Sequence, residues 1–254
     1  MDAEYTLPSN SETLNVDETS ARFSGATWYE HIQTKKVALA GLGGIGSWVA
    51  LMLARVKVEW IHLWDPDTVE TVNMAGQLFG NSDIGSHKAT AVTSCIMNYA
   101  DYHHYIAHRV RITSETLMPL DVKIFICGFD NMEARKTFFE KWYNIVKCAP
   151  EEERKEYLFI DGRLAVEEFQ VLCIKGDDEY NINRYREQFL FTDEEADAVT
   201  CSYKQTTYMA SMIASVIANL FINFVTNECN PIIERDLPFF TSYSADTMYF
   251  KTEA

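Results

Sequence analysis

The most informative segment of this sequence spans residues 36–55 and reads KVALAGLGGIGSWVALMLAR. An apolar run typical of a buried strand leads into a glycine-rich turn, and apolar residues at helical spacing follow the turn. The turn has the pattern G-x-G-x-x-G, formed by Gly41, Gly43 and Gly46 with Gly44 between them. Glycines at this spacing permit a tight turn and let backbone N–H groups approach a phosphate. The segment therefore predicts a strand, a phosphate-binding turn and a helix.

A carboxylate at the end of the next predicted strand is consistent with a nucleotide. The strand VEWIHLWD ends at Asp65, about the distance beyond the glycines at which an acidic residue binds ribose hydroxyl groups. NAD and ATP both carry such a ribose. These two features therefore leave the choice between the two nucleotides open.

Strands and helices alternate along the first part of the chain. RFSGATWYEHIQ predicts a short helix before the first strand. After the second strand, a helix is predicted over DIGSHKATAVTSCIMNYA, strands over YIAHRVRI and VKIFICGFD, and a helix over NMEARKTFFEKWYNIV. This alternation predicts an α/β protein with a Rossmann-like, mostly parallel sheet and helices on both faces.

The pattern changes after Cys148 and becomes rich in β-structure. Strands are predicted over EYLFIDGR and EEFQVLCIK, a polar loop over GDDEYNINRYREQFLFTDEEADAVT, a long apolar helix over SYKQTTYMASMIASVIANLFINFV, and a hairpin turning near Ser244 to Asp246. Residues 1–19 have no hydrophobic periodicity, so we expect a flexible or partner-docking arm there and a single domain over residues 20–254.

The composition argues against several classes of partner. The formal net charge is −15, from 37 acidic and 22 basic side chains, and a field of this sign repels phosphate backbones and anionic lipids. We therefore expect neither nucleic acid nor a membrane as a partner. The N-terminus has neither a basic start nor an apolar run, which favours a cytoplasmic location. The cysteines are scattered without a CxxC pair, so neither zinc nor a disulfide framework is predicted.

Several short motifs follow the glycine turn. In order they are Asp65-Pro66-Asp67 with Val69, Asn73 and Gln77, Gly85 and Lys88, and Asp130-Asn131 with Arg135. Together they resemble the ThiF/MoeB/HesA family and the adenylation domains of ubiquitin-activating enzymes. The resemblance runs from about Arg22 to the C-terminus and is most specific between residues 36 and 135. It favours ATP over NAD, and an NAD-dependent oxidoreductase would also need a catalytic residue that the sequence does not offer.

The resemblance implies ATP-dependent adenylation of the C-terminal carboxylate of a ubiquitin-like protein or peptide. That carboxylate attacks the α-phosphorus of ATP and gives an acyl adenylate and pyrophosphate, so cations must collect around the reacting anions. By position, Asp65 would hold the ribose, Asp130 would hold magnesium, and Lys88 would lie against the ribose and phosphates. The four glycines of the turn, Asp67, Asn73, Gln77 and Asn131 would complete the ATP site.

One further residue implies a dimer. Arg22, in ARFSG, resembles the family's N-terminal arginine, which reaches the ATP of a neighbouring subunit. The resemblance therefore implies a homodimer in which each site is completed by the other chain.

One position departs from the family pattern. The family commonly has Asn-x-x-Arg-Gln, whereas this chain has Gly76 in place of the phosphate-binding arginine. Either another basic residue reaches the phosphates, with Arg111, Arg135 and Arg163 as candidates, or the site works differently. Gly76 favours one alternative, a non-catalytic subunit that keeps the fold to bind a partner. A second alternative, implied by the resemblance, is adenylation of a small-molecule or RNA-borne carboxylate, as some relatives perform. The acidic net charge argues against the RNA version.

Cys201 is a candidate nucleophile. It immediately precedes the long apolar helix, and the matching position in ThiF-like proteins carries a cysteine that takes the acyl group or a persulfide. A helix N-terminus favours the thiolate. The preceding loop is acidic and opposes that effect, with Asp193, Glu194, Glu195 and Asp197. Whether Cys201 is a nucleophile or an unreactive thiol therefore stays open.

Overall fold

The computed structural model describes residues 18–191, 206–229 and 232–254. Its central feature is an eight-stranded sheet with the spatial order β3-β2-β1-β4-β5-β6-β7-β8. The strands are β1 (Lys36–Ala40), β2 (Trp60–Trp64), β3 (Tyr105–His108), β4 (Ile124–Cys127), β5 (Leu158–Leu164), β6 (Glu168–Lys175), β7 (Phe240–Ser244) and β8 (Tyr249–Glu253).

Six α-helices accompany the sheet in the described part of the chain. They are α1 (Tyr29–Ile32), α2 (Gly44–Arg55), α3 (Lys88–Ala100), α4 (Met132–Cys148), α5 (Glu179–Gln188) and α6 (Thr207–Cys229). Short 3-10 turns lie between them, including Thr71–Ala75 and Glu151–Glu156.

The sheet combines a parallel and an antiparallel half. The strands from β3 to β5 pair in parallel, and β5, β6, β7 and β8 pair with one another in antiparallel fashion. The chain leaves β1 towards β2 on one side and returns to β4 on the other, so the strand order reverses between β1 and β4. Ligands bind at such a switch point, beyond the carboxyl ends of the strands. The predicted fold class, and the predicted C-terminal hairpin, are confirmed.

Each face of the sheet carries its own apolar core. On one face, α2, α3 and α6 bury residues such as Val49, Leu53 and Ile213. On the other, aromatic residues of α4 and α5 pack on β4 and β5; Phe139 and Tyr185, for example, have ring centroids 4.7 Å apart. Full burial of one such side chain contributes roughly 1.5–3 kcal/mol. The helices on both faces are therefore held to the sheet mainly by apolar packing.

The segment from Glu179 to Gln188 corrects one expectation, because it is helix α5 rather than part of a polar loop. The side chain of Asp178 caps the helix by accepting a hydrogen bond from the Asn181 N–H at 3.0 Å. Ile182 and Tyr185, three residues apart, are fully buried. Two apolar anchors in an otherwise polar segment give a weak sequence pattern, yet they are enough once a core is present to receive them.

Helix α6 is long and apolar enough to cross a membrane by length and composition alone. In its most apolar stretch, 56% of the residues are buried inside the protein. It packs against α2, β5 and β6, which is the environment of a core helix.

Three glycines allow the backbone to close up around the first turn. Gly41 has a φ of +82°, a conformation that favours glycine. A Cβ added at Gly46 would collide with the Gly41 carbonyl oxygen, and one added at Gly41 would lie 2.6 Å from the Gly128 carbonyl carbon. The turn after β1 and the end of β4 therefore touch through backbone atoms alone.

We predict that Gly46→Ala destabilises the protein by about 1–3 kcal/mol, although alanine usually favours a helix. The reason is the collision with the Gly41 carbonyl. Urea unfolding measures this loss. The matched control is Gly80→Ala, where the backbone is extended and the nearest atom is 3.8 Å from the added Cβ; its stability should stay within about 0.5 kcal/mol of wild type. A stable Gly46→Ala variant would contradict the close backbone contact.

Candidate active site

A cleft opens beyond the carboxyl ends of β1, β2 and β4, at the switch point of the sheet. It encloses about 700 Å³ of empty space, including its open mouth. Eight of the residues predicted from sequence line it: Gly41, Gly43, Asp65, Asp67, Gln77, Lys88, Asp130 and Asn131. The wall is completed by Trp64, Pro66, Val110, Arg111, Ile112, Gly128, Phe129 and Ala134.

Asp65 ties the end of β2 to the glycine turn. Its carboxylate is 4% exposed and accepts hydrogen bonds from the backbone N–H of Leu42 at 2.7 Å and of Asp67 at 2.8 Å. Burial raises the pKa of Asp65, while the two backbone donors and Lys88 act in the opposite direction. Each carboxylate oxygen keeps a lone pair for a further donor. Asp65 therefore holds the turn in place and can also accept hydrogen bonds from hydroxyl groups in the cleft.

Lys88 is a cation inside the cleft and not a solvated surface residue. It begins α3, and its side chain is only 11% exposed. Its Nζ lies 3.3 Å from Asp67 Oδ2, while the Asp67 side chain is 60% exposed. The backbone carbonyl of Asp67 also accepts from the Lys88 N–H at 2.9 Å. Asp67 thus holds Lys88 at the cleft from both main chain and side chain.

At the start of α4, Asn131 caps the helix and Asp130 faces the cleft. Asn131 is the N-cap: its Oδ1 accepts from the Ala134 N–H at 2.9 Å, and its Nδ2 lies 3.3 Å from Asp130 Oδ1. The helix is therefore capped by Asn131 and not by Asp130. Asp130 is exposed to the cleft. Because Asn131 satisfies the helix end, the Asp130 carboxylate keeps acceptor capacity for a cation.

The carboxylates present fit a metal ion that arrives with a nucleotide. Among the described residues, no group of three or more histidine, cysteine or acidic side chains is placed to hold a metal by itself. Magnesium usually binds through one or two carboxylates together with substrate phosphates and water. Asp130 at the cleft offers such a carboxylate.

Asn73 and Gln77 have different positions from one another. Asn73 does not line the cleft; its Oδ1 accepts from the Glu70 N–H at 2.8 Å and caps the turn Thr71–Ala75. Gln77 lines the cleft, and its Oε1 is buried without a hydrogen-bond partner within the residues the structure describes. An acceptor left in this state is costly unless a ligand supplies a donor.

Only one of the three candidate arginines lines the cleft. Arg111 does so, and within the described residues it has no ion pair or hydrogen bond. Arg135 and Arg163 instead bind the carboxylate of Asp161 on β5. Asp161 is fully buried, which holds both guanidinium groups behind the cleft wall. As candidates for direct phosphate contact, Arg135 and Arg163 are therefore wrong.

The remaining predicted residues lie away from this cleft or outside the described chain. Gly44 and Gly46 belong to the first turn of α2, behind the lining residues. Arg22 is exposed, in the turn before α1, and does not line the cleft of its own chain. Cys201 lies outside the described residues.

Sequence reasoning missed Gly128, Asp161 and Tyr185. The signal for Gly128 was a glycine directly after a buried strand, and for Asp161 an acidic residue within the apolar strand sequence LFIDGRL. The role of Tyr185 had no local signal, since its O–H donates to Asp161 Oδ2 at 3.0 Å across the fold.

A glycine turn closed by backbone contact lies beyond the carboxyl ends of parallel strands, with Asp65, Lys88 and Asp130 around it, which is the arrangement of a doubly wound α/β protein. Residues 16–254 match the model of the ThiF family. The chain belongs to that family.

The sequence relatives match over part of the chain, and two of them serve as examples. The NEDD8-activating enzyme E1 catalytic subunit of Caenorhabditis elegans is 30% identical over 122 residues, which cover 47% of this chain and 27% of that protein. Ubiquitin-like modifier-activating enzyme 5 of Arabidopsis thaliana is 38% identical over 125 residues, which cover 42% of this chain and 29% of that protein. The match therefore spans less than a third of either relative.

Solved structures share the fold, and two of them serve as examples. The crystal structure of PaaA has a TM-score of 0.64 at 17% identity, covering 89% of this chain and 66% of PaaA. The crystal structure of E. coli MccB with ATP has a TM-score of 0.61 at 15% identity, covering 94% of this chain and 71% of MccB. At these identities the likeness establishes the fold.

We predict that Asp65→Asn costs about 1–3 kcal/mol of stability, because one of the two backbone N–H groups loses its acceptor. The loss should depend on pH. As the pH rises above 3.8, the ordinary value for this carboxyl, the unfolded chain ionises before the folded one, so Asp65 progressively destabilises the wild-type fold until its higher folded pKa is passed. Asparagine does not titrate.

The free-energy difference between wild type and Asp65→Asn should therefore be largest at acid pH and decline through that window. Urea unfolding at a series of pH values measures it, with the exposed Asp177→Asn as control. A difference that grows with pH would contradict the raised pKa of Asp65.

Proposed function

We propose that this protein uses ATP and magnesium to adenylate the C-terminal carboxylate of a ubiquitin-like protein or peptide. The observation that carries the proposal is the single cleft in which Asp65, Lys88 and Asp130 surround a turn closed by glycine contacts. The names of the sequence relatives support activation of ubiquitin-like proteins, and the MccB structures with ATP and with MccA support ATP use and a peptide substrate.

The order of the strands gives the nucleotide a direction in the cleft. Across the sheet edge come residues 110–112 after β3, Asp65 after β2, the glycine turn after β1 and Asp130 after β4. With the ribose at Asp65, phosphates fit over the glycine turn and the N-terminus of α2. The base then lies against residues 110–112.

This direction assigns the two described cations of the cleft to different parts of ATP. Arg111 lies at the base end, where its planar guanidinium can stack on a purine. Lys88 lies nearer the phosphates, where a mobile point charge stabilises charge developing in the transition state. Magnesium at Asp130 would neutralise further phosphate charge.

The proposed reaction brings two anions together. An oxygen of the substrate carboxylate attacks the α-phosphorus, the bond from that phosphorus to the oxygen bridging to the β-phosphate breaks, and pyrophosphate leaves. Cleft residues of one chain provide three carboxylates against Lys88 and Arg111. A further cation is needed, and Gly76 does not supply it, so we propose that Arg22 of the partner subunit does. The Cys201 thiolate would then attack the acyl carbon of the adenylate, and the thioester would form as the bond to the phosphate oxygen breaks and AMP leaves.

Gly76 also supports a second candidate, a non-catalytic subunit that binds a partner through the same fold. Its carbonyl accepts from Trp48 Nε1 at 3.0 Å, so this position contributes to packing without a charged side chain. The second candidate predicts no pyrophosphate exchange with any carboxylate partner.

The first test is calorimetric titration of ATP, with and without magnesium, into wild type and Asp130→Ala. We expect wild type to bind ATP more tightly with magnesium than without it. With magnesium, the ATP affinity of the variant should be at least about tenfold lower than that of wild type, because the metal loses its protein carboxylate. The control is Glu133→Ala, an exposed acidic residue in the first turn of α4, which should behave as wild type.

Titration of NAD serves as a comparison. Binding of NAD in place of ATP, or of neither nucleotide, would remove the adenylation proposal.

A second test asks whether Arg22 acts across a dimer. Arg22→Ala and Asp130→Ala should each abolish pyrophosphate exchange with the cognate partner, because each homodimer lacks one component in both sites. When the two variants are mixed and allowed to exchange subunits, half of the dimers contain one complete site, so about a quarter of the wild-type rate should return. No recovery, in a mixture shown by mass spectrometry to contain mixed dimers, would contradict action across the dimer, and full exchange by Arg22→Ala alone would place Arg22 outside the reaction.

A further inference from the structure

A buried polar cluster lies behind the loop that carries Asp130. The guanidinium group of Arg135 donates to the backbone carbonyl of Phe129, to the carboxylate of Asp161 and, at 3.1 Å, to the carbonyl of Gly162. Arg135 is 5% exposed and Asp161 is fully buried. A planar guanidinium can satisfy three acceptors in fixed directions at once, which a lysine ammonium does not reproduce.

The other side of this cluster reaches β5 and α5. Asp161 is paired in register with Cys127, the last residue of β4. Its second oxygen accepts from Arg163 Nε at 2.9 Å and from the Tyr185 O–H at 3.0 Å. Strand pairing and three side-chain donors thus fix the position of Asp161, and Asp161 in turn fixes the guanidinium group of Arg135.

The loop of residues 128–131 is fixed at its two ends by backbone bonds. The Gly128 N–H donates to the Ala40 carbonyl at 2.8 Å, and the Asn131 carbonyl accepts from the Arg135 N–H at 3.3 Å. Between these points, the Phe129 carbonyl is the group that Arg135 holds, one peptide unit before Asp130. The direction of that peptide unit sets where the Asp130 side chain leaves the backbone.

We propose that Arg135 is a positioning residue that aims the Asp130 carboxylate into the cleft by pinning the Phe129 carbonyl to Asp161. This inference rests on the proposed function for the purpose it assigns to Asp130, and it deepens that function by naming what holds the metal carboxylate in place. It also gives Arg135 a role other than phosphate contact. Groups one step removed from a metal commonly change its affinity by about 10–100-fold when they are replaced.

The test uses Arg135→Lys, which keeps the positive charge beside Asp161 and loses the three-way hydrogen bonding. Tyr185→Phe is the matched control, because it removes one donor to the same carboxylate without touching Phe129. Amide hydrogen exchange without nucleotide is followed at Gly128 and Ala134, whose hydrogen bonds flank Asp130.

We expect Arg135→Lys to raise exchange at these two amides by about tenfold, with strand β1 unchanged, and Tyr185→Phe to leave them at the wild-type rate. In calorimetry, Arg135→Lys should weaken ATP binding about tenfold with magnesium and less than about twofold without it. Equal loss with and without magnesium, or faster exchange throughout β1 and β4, would indicate a merely structural role and overturn the inference.

Should Arg135→Lys fail to fold by circular dichroism, Asp161→Asn, which keeps the side-chain size and removes its charge, carries the same test. Unchanged exchange at Gly128 and Ala134 in the variant that folds would overturn the positioning role while leaving ATP binding by wild type intact. Absence of magnesium-dependent ATP binding by wild type would instead remove the proposed function, and the exchange measurement would still decide whether Arg135 holds the loop.

Discussion

The site depends on one backbone contact, between the glycine turn after β1 and the end of β4. Gly41, Gly46 and Gly128 meet there with no space for a Cβ. Because the turn lies this close to the strand, the N-terminus of α2 faces the same cleft as the loop that carries Asp130. Asp65 adds a second tie, since it accepts the Leu42 N–H from the other side. Larger side chains at the glycines would separate the parts that must face one ligand.

The described side chains that line the cleft carry more negative than positive charge. Asp65, Asp67 and Asp130 outnumber Lys88 and Arg111 among the described lining residues, an unfavourable balance for a bare polyphosphate. A metal ion at Asp130 and a cation from a second chain would reverse it. The two other arginines nearby bind Asp161 behind the wall, and of the two only Arg135 also holds the Phe129 carbonyl of the Asp130 loop.

The sequence predicted the parallel half of the sheet, its helices, the glycine turn and Asp65, because strand alternation, glycine spacing and strand-end carboxylates are local patterns. The resemblance to the family supplied most of the other cleft residues. Prediction failed where a contact between distant segments decides. Helix α5 forms because Ile182 and Tyr185 find a core. Asn73 departs from its motif for a local reason, because it caps a turn by accepting from the Glu70 N–H three residues away. The three candidate arginines were equivalent in sequence, since nothing local to Arg135 or Arg163 indicates that both bind Asp161.

By itself, therefore, the sequence determined the fold class and the position of the glycine turn, which follow from side-chain periodicity and from the rule that parallel strands end at one edge. The resemblance to the family identified Asp65, Lys88 and Asp130 as site residues. Only the tertiary structure decided which polar groups face the cleft and which face each other. Side chains brought together by strands far apart in sequence compete for the same partners, and burial selects the pairing: Asp161 takes Arg135, Arg163 and Tyr185, which leaves Lys88, Arg111 and Asp130 for the ligand.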